Sequence, residues 1–297
     1  MTARHHLEYA GVAALAAMMR ALPRGAALAA GAALGELGWL ASIRRGVVAA
    51  NLAQALPLVS PRERRRIGAR AARNFGRTVA EFVRFAGGDR DRVGELVALE
   101  GLGELRAAAA AGGAIVVTAH LGAWALYVTA LAAAGVPSAL LVGRQHNPKV
   151  QRFILAIPGG AVRFVAKSKA APREILRCLQ ERRAVVMVAD HRAGRSGIPA
   201  PFLGRVGSTL PLPAAIAARH GTPLFVLAGR RVAGGRHRVT IARLPVGAAG
   251  SDETRRLAIA AACNEALGRA IVSCPDQYFW YHRRWLGMPP ADPGTAV

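Results

Sequence analysis

From residue 112 to residue 227 short apolar runs alternate with longer amphipathic stretches, and this alternation restricts the fold more than any other feature of the chain. Residues 113–119, 138–142, 162–165, 184–189 and 223–227 are almost uninterruptedly apolar, as strands covered on both faces must be. Between them, residues 122–134, 151–156, 172–181 and 211–220 read as helices. Residues 238–242 read as an outer strand, and Ser251-Asp252-Glu253 caps a helix that reaches about residue 272. Residues 190–208 read as a long loop. Strands alternating with helices predict an α/β domain built on a mostly parallel sheet. There is no internal repeat.

Upstream, Ser60-Pro61-Arg62-Glu63 is a helix start: Ser60 caps, Pro61 takes the first turn and Glu63 completes a capping box. Ile67, Ala71, Phe75, Val79, Phe82 and Val83 give this helix an apolar face to about residue 85. Arg62, Arg64, Arg65, Arg66, Arg70 and Arg73 give it a cationic one. Before it, residues 9–22 and 25–43 are apolar, parted by Pro23-Arg24-Gly25. A membrane span needs about 20 apolar residues. The first stretch contains Arg20 and the second Glu36. They read as helices that lie on or partly in a membrane, with Arg44 and Arg45 towards the cytoplasm; the alternative is a buried pair of Ala-rich helices. The expected organisation is an N-terminal membrane-associated helical part over residues 1–58, an α/β domain over 59–288 and a mobile tail over 289–297.

Forty basic residues against 17 acidic ones give a net charge of +23, which attracts polyanions. Nucleic acid, an anionic membrane surface and an acidic carrier protein all fit that charge. No nucleic-acid partner is expected, because the chain has no reading motif and its few aromatics form no stacking platform. The three cysteines, Cys178, Cys263 and Cys274, lack metal or disulfide spacing and read as reduced thiols.

His120 ends one apolar strand and Asp190 follows another, so both belong on the rim where open α/β sheets bind ligands. A carboxylate beside an imidazole fixes its tautomer and favours the cation formed when the ring takes a proton, so the pair suits deprotonation of a hydroxyl. His191 competes for the same role. Arg144, Lys149, Lys167, Lys169, Arg192, Arg195 and Arg205 lie in loops or at strand ends around the rim and suit a phosphate-bearing substrate. Arg144, directly after the strand at 138–142, is the foremost of them. His282 and the arginines near it fit either a site or a structural tail, and structure is the preferred reading.

At these residues the chain resembles a family. His120-Leu121-Gly122-x-Trp124 looks like the histidine motif of the bacterial lipid A biosynthesis (lauroyl/myristoyl) acyltransferases, a family that includes phosphatidylinositol-mannoside acyltransferases. The likeness continues in Asn74-Phe75-Gly76-Arg77 with Glu81, in Val188-Ala189-Asp190-His191, in Pro201-Phe202-Leu203-Gly204-Arg205 and in the run from Pro275 to Trp285. It implies a glycerolipid-acyltransferase-like fold and an O-acyltransferase at the cytoplasmic face of the inner membrane. The enzyme would move a fatty acyl group from a thioester, on acyl carrier protein or coenzyme A, to a hydroxyl of a membrane glycolipid such as a lipid A precursor. His120 and Asp190 would be catalytic, with His120 the general base. Arg144, Lys149, Lys167, Arg192, Arg205 and Trp124 would bind substrate. No metal or cofactor is implied.

The chain departs from the family pattern where an acidic residue usually follows the histidine by five positions: here stands Ala125. Ala123 replaces a common Asn, and His191 the usual Gln after the loop aspartate. The alternative these changes raise is a catalytically lapsed lipid-binding relative of the same fold. Asp190 is the residue expected to orient His120 in place of the missing acid.

Overall fold

The apolar runs pair side by side in one seven-stranded sheet. The computed structural model describes residues 2–288 except 159, 246, 248 and 249; the expected tail at 289–297 lies outside the described residues. The strands are β1 (Val97–Glu100), β2 (Ala114–Thr118), β3 (Ser138–Val142), β4 (Val162–Ala166), β5 (Ala184–Val188), β8 (Leu224–Arg231) and β9 (His237–Leu244), in the order β1-β9-β8-β2-β5-β3-β4. Within this sheet the described strands pair parallel except β8 with β9. Five neighbouring strands therefore point their carboxyl ends to one rim.

Every residue of β2 is buried, and its side chains alternate between two cores. Ile115 and Val117 join one; Ala114 and Val116 join the other. This is why the run is apolar without a break: helices cover the sheet on both sides. The helices around the sheet are α6 (Leu102–Gly112), α7 (Trp124–Ala133), α8 (Pro148–Ala156), α9 (Ala171–Gln180), α10 (Pro211–His220) and α11 (Asp252–Ser273), after the single turn α5 (Val93–Leu96). The sequence pattern did not reveal β1 or α6. The first is four residues ending in Glu100, and the second is an alanine run with little contrast between its faces.

The expected loop at 190–208 contains a hairpin, β6 (Ile198–Phe202) with β7 (Arg205–Thr209). Pro199 and Pro201 obscure it, since proline signals against a strand yet is tolerated in a two-stranded edge ribbon. Leu203 and Gly204, both at positive φ, make its two-residue turn.

Four helices precede the sheet: α1 (Ala3–Ala21), α2 (Arg24–Leu40), α3 (Arg45–Ala55) and α4 (Pro61–Arg84). At the start of α4 the Ser60 hydroxyl accepts from the Glu63 N–H, but the Glu63 carboxylate turns to Arg66 and Arg70, so half of the expected capping box forms. α2 crosses α4 at close range, with Gly31 and Gly35 against Gly76 and Ala72; a Cβ on Gly76 would strike the Gly31 carbonyl. Arg24, at the turn between α1 and α2, ion-pairs with the buried Glu81 and Asp89. Glu81 also takes Arg231 and His237. Among the described residues no single helix is long and apolar enough to cross a membrane; α2 and α3 together pass that test but bend by 94°. Leu34, Leu37, Leu40 and Ile43 are exposed beside Arg44 and Arg45.

Candidate active site

Thr118 and Val188 are partners in the β2–β5 register. Two residues past each, still side by side, come His120 and Asp190. The Asp190 carboxylate is wholly buried and meets His120 twice: Oδ1 lies 2.9 Å from Nδ1 of the ring, and Oδ2 accepts the His120 backbone N–H at 3.2 Å. Burial pushes the Asp190 carboxyl up, but His120, by its charge and hydrogen bonds, and then His191 outweigh this and hold it well below the usual carboxylate range. An ionised Asp190 accepts from Nδ1–H, which assigns the tautomer that leaves the Nε2 lone pair of His120 free.

His120 is partly exposed and edged by aromatic rings. Trp124, at the start of α7, meets it edge-on at 5.1 Å between centroids, and Phe279 lies 5.9 Å away. His191 stacks on it at 3.9 Å and 11°, and His282 stacks on His191 at 4.0 Å and 11°. Three imidazoles thus form a ladder from the rim into the C-terminal segment. Burial pushes His191 down to about 3 against the opposing pull of Asp190, and it pushes His282 down as well. His282 Nε2 accepts from the Arg192 N–H at 3.0 Å, consistent with a neutral ring. The carbonyls of Trp280 and His282 accept from the Asn51 amide on α3, each at 2.7 Å, which anchors the end of the ladder.

Nitrogen and oxygen atoms of His120, Asp190 and His191 come within 4.8 Å of one another, the spacing of a candidate metal site. The two rings are face to face, so their nitrogen lone pairs run parallel rather than converging, and Nδ1 of His120 is engaged by Asp190. This donor set fits a shared ion poorly.

Two recesses flank the ladder. An apolar groove of about 360 Å³ lies between α1, α2 and α4 and is lined by Leu15, Leu34, Phe75, Val79, Phe279 and Tyr281, among others. Phe279 belongs both to this groove and to the rings around His120. A basic cup of about 400 Å³ is lined by Arg44, Arg192, His282 and Arg283. Arg44 lines both recesses.

Of the residues singled out from sequence, the structure brings together His120, Asp190 and Trp124, with Arg192 one ladder step away. Arg144 and Lys167 are exposed, at the ends of β3 and β4 on the same rim. Lys149 lies against Tyr9 and His6 of α1. Among the described residues none of these three bonds to His120 or Asp190. Arg205, on β7, donates to the Met288 carbonyl at 3.0 Å. Sequence reasoning left His282 as either a site residue or structural, with structure preferred; it forms the third rung of the ladder. Sequence reasoning cited Tyr278 and Phe279 only within the C-terminal motif and gave them no site role, yet their segment is threaded beside β2: Phe279 N–H donates to the His120 carbonyl, and Gly122 N–H to that of Gln277. The signal was the density of rings between Tyr278 and Trp285. Burial, followed by the neighbouring Asp190, pushes the Tyr278 hydroxyl well above the ordinary phenol range.

No curated protein matches the chain significantly. The family model for bacterial lipid A biosynthesis acyltransferases matches residues 1–287, which takes in the sheet, the His120–Asp190 rim and the segment carrying His282. An acyltransferase is what such a rim, with a free imidazole nitrogen beside an apolar groove, suits chemically, and the chain belongs to the bacterial lipid A biosynthesis acyltransferase family.

Proposed function

We propose that this acyltransferase moves a fatty acyl group from a thioester, on acyl carrier protein or coenzyme A, to a hydroxyl of a membrane glycolipid, with His120 as general base. The observation that carries this reading is the 2.9 Å contact between Asp190 Oδ1 and His120 Nδ1, which leaves Nε2 free to take a proton. Nε2 would remove the acceptor's hydroxyl proton as the oxygen attacks the thioester carbonyl. The tetrahedral adduct then collapses, the C–S bond breaks, and the thiolate takes the proton back from the imidazolium. A positioned base of this kind contributes typically ~10²–10⁴-fold. The step uses no metal or cofactor.

The apolar groove supports an acyl chain held with its reactive end near Phe279 and His120. Arg192 and its neighbours in the basic cup suit a phosphate of donor or acceptor, and Arg144, Lys167, Lys149 and Arg205 are further candidates along the rim and its flank. Leu34, Leu37, Leu40 and Ile43, exposed beside Arg44 and Arg45, support an α2–α3 region seated in the interface of an anionic leaflet. Acyl thioesters are made in the cytoplasm, so the inner membrane's cytoplasmic face is the expected location.

Purified protein in mild detergent would be offered labelled acyl carrier protein and acyl-coenzyme A against a panel of glycolipid acceptors. Transfer that His120→Ala and Asp190→Asn both abolish supports the reading. Transfer that survives His120→Ala refutes the base assignment. Binding of acyl lipids with no transfer to any acceptor would favour the lapsed lipid-binding alternative.

A further inference from the structure

The segment Asn74-Phe75-Gly76-Arg77, with Glu81 one turn on, is accounted for by the fold except at Arg77. Asn74 donates its amide to the Asp276 backbone carbonyl at 2.7 Å and so ties α4 to the C-terminal segment. Phe75 packs on Phe279 in the apolar groove. Gly76 admits α2. Glu81 holds Arg24, Arg231 and His237. Arg77 makes one hydrogen bond, to Asn74 Oδ1 at 2.9 Å, and among the described residues it has no carboxylate partner.

Its guanidinium faces a recess of about 620 Å³ lined also by Arg70, Arg73 and Arg231, with Asn74 and Asp276 at its edge. Arg70 and Arg73 have exposed partners, Glu63 and Glu36, which surface screening makes weak. Arg231 is fully engaged with Glu81, Asn74 and Thr78. Asp276 is the single acid in the lining. Burial, then Arg231 and Arg73, push the Arg77 guanidinium down from its usual range, against the weaker pull of Glu81 and Asp276. Like charges gathered in a recess with one acid are unfavourable in the empty protein and become favourable around an anion.

The recess and the apolar groove occupy different sides of α4. Residues 72, 75, 76, 79 and 80 face the groove, and 70, 73, 74 and 77 face the recess, roughly 140° round the helix at 100° per residue. The recess also reaches the catalytic turn by direct contacts. Arg231 Nη2 donates to Thr78 Oγ1 at 3.1 Å, and Thr78 donates to the Gly122 carbonyl at 3.2 Å, two residues past His120.

We infer that this recess is a second anion site, distinct from the cup beside His282, which binds a phosphate monoester or pyrophosphate through Arg77 with Arg73 and Arg70. The phosphate belongs either to a lipid headgroup or to a coenzyme-type thioester donor. The site does not depend on the acyl-transfer reading, and its test is a binding measurement.

Full-length protein in uncharged detergent would be titrated with inorganic pyrophosphate and followed by its thermal midpoint and by calorimetry. Wild type should be stabilised in a saturable way. Arg77→Gln should weaken binding roughly ten- to a hundredfold, the usual scale for one charge-assisted contact. Arg77→Lys should recover part of it, and Arg173→Gln, an exposed control on α9, should leave it unchanged. Competition assigns the source. Displacement by micelles containing phosphatidate but not phosphatidylcholine points to a lipid headgroup. Displacement by coenzyme A but not by phosphatidate micelles points to the donor, through its 3′-phosphate if dephospho-coenzyme A fails to displace and through its pyrophosphate if it succeeds. Equal affinity in wild type and both Arg77 variants, or no saturable binding, overturns the site. Should Arg77→Gln unfold, Arg73→Gln replaces it, with a smaller loss expected.

Discussion

Asp190 grips His120 at two points, one carboxylate oxygen on the ring and the other on the backbone N–H. The contact orients the imidazole and fixes the turn that carries it. Asp190→Asn keeps the shape but removes the charge and offers an amide that can hold the wrong tautomer. Turnover should fall roughly 10³–10⁴-fold, with KM little changed. Steady-state transfer assays on the folded variant check this, and a loss below tenfold would reassign the orienting role.

Ala125 stands where family members usually carry an acid. Since Asp190 already engages Nδ1 of His120, a carboxylate restored at position 125 would find that nitrogen taken. Ala125→Glu should therefore change turnover by no more than about threefold, a difference of roughly 0.6 kcal/mol in barrier. A gain of a hundredfold would mean that Asp190 orients His120 poorly.

Acid should weaken the fold in two stages. Unfolded, an imidazole binds a proton near pH 6.5; folded, His191 resists down to about 3. Between these values the unfolded chain holds more protons, so stability falls as the pH falls, by about 1 kcal/mol per pH unit from this group. Glu81, moved from 4.5 to about 2, adds a loss that begins below pH 4.5 and is complete below 2. Urea unfolding between pH 7.5 and 4.5 should show the first stage, and His191→Gln should reduce it, leaving the part due to His282, whose ring burial also pushes down.

Gly76→Ala should separate α2 from α4, because the new methyl would meet the Gly31 carbonyl, which is backbone and cannot swing aside. A loss of roughly 1–3 kcal/mol is expected from such overpacking. Gly46→Ala, with open space around its Cβ position, is the matched control. Thermal midpoints of the two variants decide it.

The parallel sheet was legible because β2, β3 and β5 are buried on both faces and their runs admit no other reading. His120 and Asp190 were legible as neighbours for the same reason, each lying just past a central strand. The histidine ladder was not. Its rungs come from positions 120, 191 and 282, and nothing in local periodicity places a C-terminal segment against β2. Arg77 stands in a legible motif, but its role depends on which of its neighbours are already paired, which the fold decides. The hairpin at 198–209 was hidden by prolines that a ribbon tolerates and a central strand would not.

Arg24 gives the N-terminal helices a duty beyond their apolar surface. It supplies counter-charge to Glu81 and Asp89, which are 1% and 3% exposed, while the carbonyl of Met19 accepts from Arg84, the other cation on Asp89. A chain shortened to begin at Ser60, the obvious way to remove the greasy segment, would withdraw a cation from both acids and unseat Arg84. Solubility and integrity are thus coupled in this molecule: the stretch that most resists handling in water also supplies a counter-charge to two buried acids that follow it.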